Sequence, residues 1–155
     1  MESLVLRGYR KTDLEAMFQL DEQCFEDPFR FTRQAMRRFA EAKHARVAIV
    51  EAGIVLAGFA ILHIERIYSE VVGYIVTLDV AESLRRHGIA RMLMVEMERH
   101  AIAEGCAAME LHVYTGNAGA IRFYESEGYR RVHAAPGFYA PGLDAWVYRK
   151  EMSLN

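Results

Sequence analysis

Two periodicities take turns along the chain. Apolar side chains at every second position mark half-buried strands; apolar side chains returning every third or fourth position mark helices packed by one face. Leu4, Leu6 and Gly8 alternate with Val5, Arg7 and Tyr9, which predicts a short first strand. From Leu14 the spacing widens to Met17, Phe18 and Leu20 or Asp21, and Thr12 or Asp13 stands where a helix cap is wanted. Asp27-Pro28 closes that region, because the residue before a proline is pushed out of helical conformation, and Thr32 can cap a second helix to about Ala40. Val47 to Leu62 is an apolar run broken by Glu51, Gly53 and Gly58. It reads as two strands joined at Glu51-Ala52-Gly53, followed by a long third strand from about Val71 to Val80.

In the second half, Ile89, Met92, Leu93, Met97 and Ala101 recur at helical spacing between Gly88 and about Glu104, with Gly105 placed to end the helix. In the strand Met109 to Tyr114, Leu111 and Val113 face one way and Glu110, His112 and Tyr114 the other. Asn117 can cap a helix that carries Ile121, Phe123 and Tyr124 and ends before Gly128. Strands at about Tyr129 to His133 and Ala145 to Glu151 close the chain around a loop containing Pro and Gly. The order βααβββαβαββ predicts an α/β fold with a mixed central sheet of about six to seven strands flanked by four helices. No repeat or Pro/Gly/Ser-rich linker divides it, so residues 1–155 are expected to form one domain.

Composition works by exclusion. Nineteen Lys and Arg against 21 Asp and Glu give a net charge of −2, whereas nucleic-acid affinity rests on a basic surface, so no nucleic-acid partner is expected. No stretch reaches the roughly 18–20 apolar residues of a membrane helix, and MESLVLRGYRKTD lacks the basic-then-apolar order of a signal peptide. A cytoplasmic protein without membrane contacts is therefore expected. Cys24 and Cys106 are the only cysteines and form no CxxC, so they read as free thiols, and no metal is expected.

One stretch stands apart. In LDVAESLRRHGIARML, Leu78 to Leu93, a strand passes into a helix through Arg85, Arg86, His87 and Gly88. The first N–H groups of a helix have no internal acceptor and sit at the positive end of its dipole, which suits an anion such as phosphate. Arg85, Arg86 and His87 add donors, while Gly88 and Ala90 keep bulk away. Neither G-x-x-x-x-G-K-S/T nor G-x-G-x-x-G is present, which disfavours P-loop and Rossmann nucleotide sites.

The hexapeptide RRHGIA, Arg85 to Ala90, fits Q/R-x-x-G-x-G/A and resembles the acetyl-CoA signature of the GNAT superfamily of N-acetyltransferases. NAGAIRFYESEGY, Asn117 to Tyr129, resembles the second block of that family, N-x-x-A-x-x-F/L-Y-x-x-x-G-F/Y. YIVTLDV, LHVYTGN and FYAPGLDAWVYRKEM are similar to the branch that acetylates N-terminal amines, including the ribosomal-protein-alanine type.

The resemblance implies a GNAT-like domain with acetyl-CoA as co-substrate. Leu78, Asp79 and Val80 would pair with the pantetheine arm, and the Val80 amide would face the developing oxyanion. Arg85, Arg86, His87, Gly88, Ile89 and Ala90 would hold the pyrophosphate, and Asn117 would reach the cofactor arm. Tyr124 would face the CoA sulfur as general acid, its ordinary pKa of about 10 keeping it protonated. His112, with an ordinary pKa of about 6.5, would take the amine's proton directly or through a water held with Tyr74; Glu110 is an alternative or supporting base. Phe25, Pro28, Phe29, Tyr74 and Tyr139 would line the acceptor slot, formed by the loop Phe25 to Phe29 and a hairpin loop Phe138 to Leu143. Read without the resemblance, Phe123 and Tyr124 are core aromatics of an amphipathic helix, and the plainer alternative for His112 is an interior hydrogen-bonded histidine. Two positions depart from the family pattern: Ala90 replaces a second glycine, and Glu82-Ser83 stand where many relatives carry a proline.

An N-terminal amine, with pKa about 7.7–8.0, is about a quarter neutral at physiological pH, whereas lysine is about a thousandth neutral. The expected acceptor is therefore a protein or peptide N-terminus, with a small-molecule amine or lysine as the alternative. A CoA-binding regulatory module without turnover, or a domain for another phosphorylated ligand, is the remaining reading.

Overall fold

Alternation along the strands builds a single sheet in the computed structural model, which describes residues 3–153. Its strands are β1 (Leu4–Gly8), β2 (Ala45–Ala52), β3 (Val55–Ile67), β4 (Glu70–Val80), β5 (Ala108–Tyr114), β6 (Arg130–Ala140) and β7 (Leu143–Glu151). They lie in the order β1-β2-β3-β4-β5-β7-β6. Neighbours are antiparallel except β4 and β5, the pair joined by a helical crossover. The helices are α1 (Leu14–Cys24), α2 (Arg33–Ala40), α3 (Ile89–Ala103) and α4 (Ala118–Ser126). The observed order matches the one read from periodicity, as does the mixed sheet.

Each face has its own core. Met17 and Leu20 of α1 and Met36 and Ala40 of α2 pack with Ile49, Phe59 and Ile61. On the opposite face, Ile89, Leu93, Met94, Met97 and Ala101 of α3 join Leu62, Ile75, Leu111 and Tyr124. α3 lies unusually close to the sheet at Gly58, where a Cβ would sit 2.9 Å from both the Asp79 carbonyl oxygen and Ile89 Cγ2.

Local signals mostly act where expected. Thr32 accepts from the Ala35 amide at 3.1 Å and Asn117 from the Ala120 amide at 3.1 Å, so both cap their helices. Asp13 does not cap α1. Its carboxylate takes both terminal nitrogens of the Arg7 guanidinium, at 2.8 and 2.9 Å, and the Arg10 amide at 2.7 Å, closing a short 3₁₀ turn instead. The expected Phe138–Leu143 loop is another correction. β6 continues to Ala140, with register shifts along its pairing to β7, and only Pro141 and Gly142 separate the two strands. β6 is the sheet edge, where Pro136 costs no ladder bond and Gly137 can take φ +64°.

One irregularity positions the site. Ile61 faces Thr77 and Leu62 faces Ile75, which leaves Val76 as a bulge in β4. A bulge bends its strand. β4 pairs with β5 only from Val72 to Ile75 against Ala108 to Leu111, while β5 stays with β7 through Tyr114. Beyond that point the two parallel strands diverge into an open cleft. Among the described residues no helix is long and apolar enough to cross a membrane.

Candidate active site

The cleft has an unpaired main-chain wall. The Ala81 amide donates to Ala57 of β3 at 2.9 Å. Because antiparallel pairing alternates, the main-chain groups of Leu78 and Val80 point the other way, to the β5 side. The Val80 carbonyl there accepts from Cys24 Sγ at 3.4 Å and Arg85 Nε at 3.3 Å. The Val80 N–H and both main-chain groups of Leu78 thus line the cleft, arranged as an extended polar ligand would require. The Asp79 side chain is buried on the α1 side, so only its main chain belongs to this strand edge.

At the cleft's end, Gly88 caps α3 with φ +78°, and the first intrahelical bond runs from the Met92 amide to the Gly88 carbonyl at 3.0 Å. The Ile89, Ala90 and Arg91 amides therefore have no helical acceptor. A Cβ on Gly88 would meet nothing within 4 Å, and a groove of about 330 Å³ lined by Leu6, Gly88, Arg91, Met92 and Val95 lies alongside. These amides and this open space fit the pyrophosphate of a CoA-type cofactor. Arg86 and His87 are exposed there, and Arg86 is itself left-handed at φ +68°. Ile89 points into the core, so it offers only its amide. Arg85 is exposed as well, with its Nε on the Val80 carbonyl at 3.3 Å.

The opposite side of the sheet forms the second half of the site. The Tyr74 hydroxyl is 2.8 Å from His112 Nδ1. The His112 ring lies flat on Phe138, with centroids 3.8 Å apart and planes 7° apart. Phe29 packs at 4.9 Å on both Tyr114 and Tyr139, and Tyr139 at 4.9 Å on Phe138. The cluster draws residues from β4, β5, β6 and the α1–α2 loop. Phe29 is that loop's aromatic contribution; Phe25 is half-buried and Pro28 exposed. Burial pushes the His112 ring below its ordinary 6.5, helped by His133 and partly opposed by Glu110. The imidazole is thus neutral at pH 7 and able to accept a proton. Glu110, on the same face, is bound by Arg149 at 2.7 Å, and Arg149 also grips Glu70 at 2.6 Å and Glu151 at 2.8 Å. One Glu110 carboxylate oxygen, Oε2, is thus already occupied by the Arg149 guanidinium.

Tyr124 is 9% exposed against Phe123 and Tyr129. Its hydroxyl differs from its neighbours' in use. Tyr129 donates to Glu98 at 2.7 Å and Tyr148 to Glu125 at 2.8 Å, whereas Tyr124 has no hydrogen-bond partner among the described residues. Burial pushes the pKa of the Tyr124 and Tyr74 hydroxyls up and that of Tyr139 up to about 12, so all three hydroxyls stay protonated near neutral pH. Burial likewise pushes the Cys24 thiol up to about 11, which leaves it a neutral hydrogen-bond donor and not a nucleophile.

Sequence reasoning placed Tyr74, His112, Phe29 and Tyr139 in one site, and the structure brings these four together. Tyr114, which alternation puts on the face of His112 but to which the sequence gives no site role, joins the cluster through Phe29 and Tyr139. The stacking of Phe138 depends on β6 irregularities that no local pattern announces.

Residues 14–129 match the acetyltransferase (GNAT) family, and the chain belongs to that family. It is 36% identical over 83 residues to N-alpha-acetyltransferase 60 of Xenopus tropicalis, a match covering 50% of this chain and 34% of that protein. The chain thus spans only about a third of that relative's length. It is 26% identical to an N-alpha-acetyltransferase of Saccharolobus solfataricus, over 95% of this chain and 92% of the other. The crystal structure of the Escherichia coli ribosomal-protein-S18-alanine N-acetyltransferase superposes with a TM-score of 0.84 at 19% identity, covering 99% of this chain and 96% of that one. At that identity the likeness is one of fold.

Proposed function

We propose that this chain transfers the acetyl group of acetyl-CoA directly to the α-amine of a protein or peptide N-terminus. The observation that carries the proposal is the Tyr74–His112 hydrogen bond, set among aromatic rings beside the open edge of β4. Relatives named for N-alpha-acetylation support the same acceptor.

Acetyl-CoA, when bound, supplies a thioester already activated toward an amine. The amides of Ile89, Ala90 and Arg91 bind its pyrophosphate, and the free edge of β4 at Leu78 and Val80 holds its arm. Asn117 spends its side-chain oxygen on the Ala120 amide and keeps its NH₂ for a cofactor contact. The Val80 N–H donates to the carbonyl oxygen as negative charge develops there. His112 takes the amine's proton. If Nδ1 donates to Tyr74, Nε2 is the acceptor; if Nδ1 accepts, the Tyr74 hydroxyl relays the proton to it. Tyr124 gives its proton to the departing sulfur. The neutral Cys24 thiol argues for direct transfer over an acyl-cysteine carrier.

The acceptor class is tested with two peptides, one with a free N-terminus and one N-terminally blocked but carrying lysine. The free peptide should be acetylated at least about 10²-fold faster, the ratio of neutral amine alone. Equal rates would reject α-amine selectivity in favour of lysine or small-molecule amines.

A further inference from the structure

Asp21 of α1 and Asp79 of β4 are 0% and 1% exposed, with their carboxyl groups within hydrogen-bonding reach of each other. One oxygen of each is occupied. Asp79 Oδ1 accepts from the Thr77 hydroxyl at 2.5 Å, and Asp21 Oδ2 accepts from the Phe31 amide at 2.7 Å. The other two, Asp79 Oδ2 and Asp21 Oδ1, are buried without a protein donor. Two adjacent buried carboxylates repel, whereas one proton between them satisfies both orphaned oxygens.

Asp21 also holds both ends of the acceptor loop. Its carbonyl accepts from the Phe25 amide at 2.9 Å and its carboxylate from the Phe31 amide, so residues 25–31 hang from one residue. That loop carries Phe29 onto Tyr114 and Tyr139. Asp79, at the other side of the pair, immediately precedes Val80.

We propose that Asp79 carries a proton donated to Asp21, and that the joined pair is a latch fixing the acceptor loop to the cofactor strand. Its role in acceptor positioning rests on the peptide reading above; the latch itself does not. Asp21 and Asp79 are positioning residues, and the shared proton keeps a second negative charge away from the Val80 N–H. The other titratable or charged groups facing the pair are Cys24 of α1, Arg30 of the acceptor loop, Arg85 beyond β4 and Tyr124 of α4. Burial foremost, then the Asp21 carboxylate, hold Asp79 well above the usual carboxylate range.

Thermal stability of wild type and D79N between pH 5 and 8 tests the shared proton. The folded protein keeps a proton that the unfolded chain has released, so wild-type stability falls as pH rises above the ordinary carboxylate range. D79N retains a donor to Asp21 but does not titrate. The Tm of D79N relative to wild type should rise by about 3–5 °C per pH unit while Asp79 keeps its proton. A flat difference would overturn the proposal. Amide exchange at Phe31 tests the latch. It should be at least about tenfold faster in D79A, the effect of one lost hydrogen bond to a charged group, and near wild type in D79N. Unchanged exchange in D79A would overturn the latch; should D79A not fold, the pH series decides alone. Failure to acetylate peptides, with both results as expected, would fall on the acceptor assignment and not on the latch.

Discussion

Replacing His112 with alanine is expected to lower kcat/KM for a peptide acceptor by about 10²- to 10⁴-fold, the range of general acid–base catalysis. It should also erase one limb of the pH profile. Because burial depresses the ring, the wild-type limb lies below 6.5, and activity rises with pH as the imidazole loses its proton. In the variant only the amine's own titration, near 8, should remain. Alanine also removes the ring stacked on Phe138 and the partner of Tyr74, so the acceptor slot could lose shape along with the base. His112→Gln separates the two effects, since it can still bond Tyr74 but cannot titrate; the rate and the limb should be lost equally. Retention of the full profile in either variant would move proton acceptance to Glu110 or to bulk water. Glu110 is itself held by Arg149 at 2.7 Å.

A carboxylate at position 88 should abolish most acetyl-CoA binding. Gly88 holds φ +78° in open space at the mouth of α3, so Gly88→Glu combines three effects. A non-glycine residue in the left-handed region costs about 1–2 kcal/mol. The new side chain fills the approach to the Ile89, Ala90 and Arg91 amides, and its charge repels a pyrophosphate. Like-charge juxtaposition at an interface costs several kcal/mol, so the Kd by calorimetry should rise at least about 10²-fold. Far-ultraviolet circular dichroism checks that the sheet survives, and an unchanged Kd in the folded variant would move the pyrophosphate elsewhere.

The fold was legible in the sequence because its signals are local. The caps at Thr32, Gly88 and Asn117 and the terminating Gly105, now seen at φ +76°, each act through neighbours a few residues away. Local reading failed where a distant residue competes for a side chain. Asp13 looked like a helix cap, but the Arg7 guanidinium reaches its carboxylate first. Pro136 and Gly137 looked like a loop because edge position, which excuses both, is a property of the sheet. The site divides the same way. Tyr74, His112 and Tyr124 lie in recognisable strings, whereas the cleft itself comes from the Val76 bulge, and the Asp21–Asp79 pair joins residues 58 positions apart.

The central claim, that cofactor and α-amine meet between β4 and β5, is tested most directly by binding of a covalent conjugate of the two. CoA joined through an acetyl link to a peptide α-amine should bind at least about 10²-fold tighter than the same peptide joined through its lysine Nε, the lower end for mimics of the reacting state. Equal affinities for the two conjugates would contradict the account.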